Sequence, residues 1–226
     1  MRLFKYVSKI EFAEPLVSAS STVPDWYKNI PPFIGGKPII ENYNKPNITV
    51  KNCIPFLESL TTGYMITTWQ DMQVTSTEFG PKISWLIEPD PAIIRGPQPG
   101  LPIPKGHSSL HFAWNLPINY KTPKGYSVLI LHPLNRFDLP FTTLSGIIDS
   151  EDGMFGGQLP FYLHDGFEGI IPKGTPIAQI IPFKKESWAK EKDESLIQTG
   201  KKIKYLSTSV LKGWYKKSVW KKVKYQ

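Results

Sequence analysis

The sequence predicts an all-β sandwich or barrel, preceded by an extended N-terminal arm and followed by a helical C-terminal segment. Two observations carry the β prediction. Short runs of aromatic and β-branched residues recur at intervals of about ten residues, separated by Gly and Pro turn signals, and helical periodicity is scarce before residue 185. A third observation sets the ends. The first fifty residues are rich in proline, whereas from Ile203 onward Tyr205, Leu206, Val210, Leu211, Trp214, Tyr215, Val219 and Trp220 recur three or four residues apart, the spacing of one helix face. The 226 residues suit one large domain, or one domain with extensions. The expected division is an arm with a short helix over 1–59, a β core over 60–183, and a basic helical segment over 184–226.

In chain order, the stretch from Leu3 to Phe12 reads as a strand, and Val23–Lys28 as a turn opening a short helix that Pro31 and Pro32 stop, since proline lacks an amide donor. Residues 13–50 are expected to lie as an arm on a larger surface. Cys53–Leu60 has the length of a two-turn helix with Pro55 in its first turn, where a missing amide costs little, and Gly63 ends it. Tyr64–Thr75 and Lys82–Ile87 read as strands with a turn at Phe79-Gly80-Pro81. Residues 89–106 are dominated by Pro and Gly and read as a long surface connection, after which Ser109–Asn115 resumes a strand. Gly200 and Gly213 leave open whether the C-terminal helix is one piece or two.

Charge divides the chain unevenly. The formal net charge is +8, and residues 184–226 hold 13 lysines against 4 acids. Such a segment suits nucleic acid, an acidic protein face or an anionic surface, or is the solvated face of a terminal helix. No apolar run reaches the roughly 18 residues of a membrane span, so no membrane partner is expected. The N-terminus shows no signal-like apolar region. The single Cys53 rules out an internal disulfide and fits a reducing cytosol.

The most organised stretch lies between residues 123 and 183. It contains Pro123-Lys124-Gly125-Tyr126, Gly146-Ile147-Ile148-Asp149-Ser150, Gly156-Gly157-Gln158, and Ile171-Pro172-Lys173-Gly174-Thr175-Pro176-Ile177-Ala178-Gln179. These blocks, in this order, resemble those of the dUTPase and dCTP deaminase superfamily over about sixty residues. The resemblance implies a β-clip barrel and a homo-oligomer, a trimer about a threefold axis. The whole chain is also similar to a family of uncharacterised tailed-phage proteins, through Pro-Asp-Trp-Tyr-Lys at 24–28, Pro-Phe-Leu-Glu-Ser-Leu-Thr-Thr-Gly-Tyr at 55–64 and His-Pro-Leu-Asn-Arg at 132–136. That second resemblance implies the cytoplasm of an infected host cell or the virion, with other phage proteins as partners.

Carried over residue by residue, the superfamily resemblance makes Asp149 the candidate catalytic carboxylate that activates water. Arg136 falls to the phosphates, Phe155 to the deoxyribose face, and Gln158 takes the place of an acidic residue in the nucleotide site. Asp149 has a second reading, a strand-end carboxylate bonded to neighbouring turn groups. The departures are substantial. Arg136 stands two positions from the expected phosphate arginine, about 7 Å along a strand. No early acidic magnesium motif is present, and a lysine and tryptophan tail replaces the glycine-rich closing arm. Glu151 and Glu168 are the only nearby glutamates for deaminase chemistry. His107 and His111 share one face, but zinc would need a third ligand from His132, His164 or a carboxylate, and no metal site is assigned. His164-Asp165-Gly166 reads as a hairpin turn. Ser150 lacks a nucleophile-elbow setting, and the glycines at 153–157 are not followed by the Gly-Lys-Ser/Thr of a phosphate loop.

The motifs therefore lean away from an enzyme. They point to a phage-encoded, dUTPase-like protein without catalysis and without a cofactor, acting as an oligomeric structural or interaction module, with the virion as one location. One alternative is a divergent nucleotide pyrophosphatase or deaminase acting on a deoxynucleotide, for which Mg would be the cofactor. A second is a nucleic-acid accessory protein that binds through residues 197–226.

Overall fold

Alternating apolar residues become strands throughout the computed structural model of the chain, which describes residues 2–37, 47–154, 156–209 and 219–226. The protein is predominantly β, with 38% strand, 14% helix and several antiparallel sheets. The strands are β1 (Lys5–Ser8), β2 (Leu16–Ser18), β3 (Tyr64–Thr67), β4 (Met72–Thr77), β5 (Gly80–Ser84), β6 (Ala92–Gly96), β7 (His107–Asn115), β8 (Ile118–Lys121), β9 (Tyr126–Leu131), β10 (Phe141–Thr143), β11 (Gly146–Asp149), β12 (Gln158–His164), β13 (Gly169–Ile171) and β14 (Pro176–Lys184). The helices are α1 (Asp25–Asn29), α2 (Ile54–Thr61) and α3 (Leu196–Ser209). The chain divides into two units, one of Met1–Thr22, Leu60–Lys185 and Tyr225–Gln226, the other of Val23–Ser59 and Glu186–Lys224.

The first unit holds all fourteen described strands. They form a five-stranded sheet ordered β11-β9-β14-β3-β2, a four-stranded sheet β10-β12-β7-β6, a three-stranded sheet β13-β4-β5 and a ribbon β1-β8. Residues 1–22, expected in the arm, lie in this unit because β1 and β2 find partners in β8 and β3, and Ile10, Leu16 and Ala19 are buried. The core joins Val128, Ile130 and Ile180 from the five-stranded sheet to Phe112, Trp114 and Phe161 from the four-stranded one. The Trp114 and Phe161 rings stack at 3.6 Å, and Phe141 meets Trp114 edge-on at 5.0 Å. Aromatic contacts of this kind add about 0.5–1.5 kcal/mol each beyond area burial.

Three local expectations change. The run Tyr64–Thr75 is two strands, because Thr68 and Asp71 leave the ladder to hold the turn at 172–175. Thr68 Oγ1 donates to the Pro172 carbonyl at 2.8 Å, and the Lys173 amide donates to Asp71 Oδ1 at 2.6 Å. The proline-rich connection contains β6, paired with β7 through its apolar Ala92-Ile93-Ile94 run. His164-Asp165-Gly166 is a turn with Gly166 at φ 69, yet it is not a hairpin, since β12 pairs with β7 and β10 while β13 pairs with β4.

Gly63 follows α2 where any side chain would fail. Its φ is +76, and an added Cβ would sit 2.1 Å from the Ile180 carbonyl oxygen.

The second unit is built on aromatic contacts. Tyr27 stacks on Phe56 at 5.7 Å, and Trp26 meets Phe56 edge-on at 6.3 Å. Lys51 Nζ lies over the Tyr27 ring at 4.6 Å and donates to the Tyr27 and Lys28 carbonyls at 2.9 Å each. Trp220 donates its indole N–H to Glu58. Helix α3 begins at Leu196, before the expected Ile203, and runs through Gly200 without a break. Val210, Leu211, Trp214 and Tyr215 of the predicted helix face lie outside the described residues. Among the described residues, no helix is long and apolar enough to cross a membrane.

Candidate functional site

Asp149 closes β11, an edge strand. The antiparallel register sets Ile147 opposite Leu129 and Asp149 opposite Ser127, at the entry of β9. On the other side of β9, Phe183 of β14 pairs with Ser127 and Lys184 with Tyr126, which carries Lys185 to the same end of the sheet. Ser127 Oγ donates to Asp149 Oδ1 at 2.6 Å, and Lys185 Nζ donates to Oδ2 at 2.6 Å. The Asp149 side chain is 63% exposed. The bond from Lys185, followed by that from Ser127, holds its carboxyl below the ordinary aspartate value, against a small opposing effect of desolvation. Such a carboxylate stays ionised and is a weak proton acceptor, the opposite of the upward tuning that a general base near neutral pH requires. The next residue, Ser150, is buried, its hydroxyl 2.9 Å from Thr122 Oγ1.

Arg136 follows the far end of β9, in a turn where Asn135 takes φ 58. Its guanidinium grips Asp138 as a fork, with Nε at 2.9 Å from Oδ1 and Nη2 at 2.8 Å from Oδ2, and Nη1 donates to the Thr22 carbonyl at 3.3 Å. Only 10% of the side chain is exposed. This is a bidentate pair that fixes a turn. Strand β9 alone covers about 13 Å between Ser127 and Leu131, and Arg136 lies five residues beyond Leu131. The fold thus sets Asp149 and Arg136 toward opposite ends of one strand, and within a single chain the two do not meet.

Gln158 opens β12 in the four-stranded sheet, directly opposite Asn115. Its Oε1 accepts from Arg95 Nη1 at 2.6 Å, and its Nε2 donates to Asn115 Oδ1 at 3.2 Å. It lines a cavity of about 550 Å³ shared with Lys9, Trp69 and Glu88, in which neither Asp149 nor Arg136 takes part. Phe155 lies outside the described residues. No protein-family model matches the chain, and no curated protein matches it.

His107, His111 and His132 are committed to local hydrogen bonds. His107 Nε2 lies 2.8 Å from Thr142 Oγ1, and its ring meets that of His164 edge-on at 4.8 Å. His111 Nδ1 bonds to the Gly96 carbonyl. His132 accepts the Thr143 amide at Nδ1 and donates from Nε2 to the Arg136 carbonyl, which fixes one neutral tautomer. Burial, with smaller contributions from His164 and Arg136, holds the His132 pKa below its ordinary value despite the favourable Arg136 carbonyl and Asp138. Among the described residues, no group of three or more His, Cys, Asp or Glu side chains is arranged to hold a metal ion.

Sequence reasoning missed Ser127, Lys185 and Asp138, the partners that decide what the predicted residues do. A signal for Asp138 was available, because an acid two residues beyond an arginine in a turn is placed to take its guanidinium.

Proposed function

We propose that the chain is a non-catalytic, dUTPase-like β-clip protein of a tailed phage that acts as an oligomeric structural or interaction module. The observation carrying this reading is the separation of its two charged candidates. Asp149 is held ionised by Lys185 and Ser127, and Arg136 is spent on Asp138 at the other end of β9. A hydrolase of deoxynucleotides needs a base and a phosphate-binding cation in one small pocket. The β-clip assignment and the phage context rest on the sequence resemblances. The expected homotrimer likewise rests on the resemblance to the dUTPase and dCTP deaminase superfamily. Light scattering on the full chain tests the assembly: a homotrimer is expected, and a monomer across the micromolar range overturns it. Turnover of deoxynucleoside triphosphates tests the absence of catalysis.

A further inference from the structure

The ribbon formed by β1 and β8 breaks a pairing rule. Its register places Lys5 directly opposite Lys121. Like charges facing each other across an antiparallel pair are destabilising, and a local conflict kept without an internal remedy marks a functional surface. No direct ion pair relieves it: among the described residues, Lys5 and Lys121 have no ion-pair partner. Both lysines line a groove of about 670 Å³ together with Lys124. Arg2, close to Lys5 in sequence, stacks its guanidinium over the Tyr126 ring at 4.8 Å. Two acids also line the groove. Glu151 accepts the Gly125 amide at 2.7 Å, which orients its carboxylate without neutralising it, so Glu151 and Asp152 together offset part of the lysine charge.

We propose that this groove binds the phosphate backbone of single-stranded nucleic acid. Regularly spaced phosphates relieve the Lys5–Lys121 repulsion, and the counterions they release supply the binding free energy. A single strand fits better than a duplex because the site is a concave groove of small-ligand size, with Leu3 and Pro123 among its lining residues as apolar surface for sugars and bases. A flat anionic membrane would not enter it. The chain's +8 charge draws any polyanion toward the protein, but the groove supplies the local geometry. Asp149 is not among the residues that line it.

The test uses the full chain and an oligothymidylate of about twenty nucleotides, with affinity read by fluorescence anisotropy at several salt concentrations. In the Lys5→Gln, Lys121→Gln double variant, affinity falls about tenfold, and the slope of log K against log salt becomes shallower by about 0.7 per lysine removed. The same variant melts roughly 1–3 °C higher, because the opposed charges are gone. Asp152→Asn tightens binding. This pattern of lower affinity with higher stability separates a ligand site from a purely structural pair. The proposal is overturned if the wild type does not bind the oligonucleotide at about 50 mM salt, or if the double variant binds as the wild type does. It is equally overturned if a duplex binds more tightly, if Lys221→Gln, Lys222→Gln, Lys224→Gln alone abolishes binding, or if only phosphatidylserine vesicles depend on Lys5 and Lys121.

Discussion

Lys185 Nζ stands 2.6 Å from Asp149 Oδ2, and this contact sets the chemistry of the residue that most resembles a catalytic base. Replacing the ammonium in Lys185→Met raises the Asp149 pKa toward the ordinary aspartate value of 3.8, read by carboxyl NMR titration. A carboxyl whose folded pKa lies below its unfolded one contributes above the unfolded value and loses that contribution as pH falls through the folded value. The difference in urea midpoint between wild type and Lys185→Met at neutral pH therefore disappears in the acid range below the ordinary aspartate value.

Arg136 and Asp138 form the second charged contact, buried at the guanidinium and 36% exposed at the carboxylate. Asp138→Ala leaves the guanidinium with the Thr22 carbonyl and little solvent, which costs about 1–3 kcal/mol in a urea melt. A loss under about 0.5 kcal/mol, the level of an exposed pair, would refute a structural role for this fork.

Gly63 cannot be replaced. Gly63→Ala combines a positive φ with a methyl 2.1 Å from the Ile180 carbonyl, and the expected loss is about 3 kcal/mol or more, measured as a lower thermal midpoint. Gly174→Ala, at φ +83 with open space around its Cβ, should cost only about 1 kcal/mol, since strain acts there without a clash.

His132 makes the fold sensitive to mild acid. Because its folded pKa is lowered, the unfolded chain takes up the proton first as pH falls below the ordinary histidine value of 6.5. Stability then declines from that pH down to the folded pKa. Urea midpoints between about pH 7.5 and 5.5, the range in which free histidine titrates, should fall in the wild type and fall less in His132→Gln.

Much of the β architecture was legible because it is written in local pattern. The run Tyr126-Ser127-Val128-Leu129-Ile130-Leu131 and the Pro176–Gln179 block became β9 and the start of β14, adjacent in one sheet. α2 could be read from Pro55 and Gly63, which mark its two ends by backbone chemistry alone. β6 was hidden, because prolines on both sides of Ala92-Ile93-Ile94 masked a strand whose pairing with β7 is non-local. The site failed to be legible for the same reason. Lys185 lies 36 residues from Asp149, and only the register of β14 on β9 brings them together. The opposition of Lys5 and Lys121 likewise depends on a pairing across more than a hundred residues that no spacing rule reveals.

The most direct test of the central claim is turnover of the deoxynucleoside triphosphates, assayed with Mg for pyrophosphate and ammonia release. A non-catalytic protein gives the blank rate with every substrate, and Asp149→Ala gives the same blank rate as the wild type. Turnover by the wild type that vanishes in Asp149→Ala would contradict the account and make the Lys185-held carboxylate part of an active site.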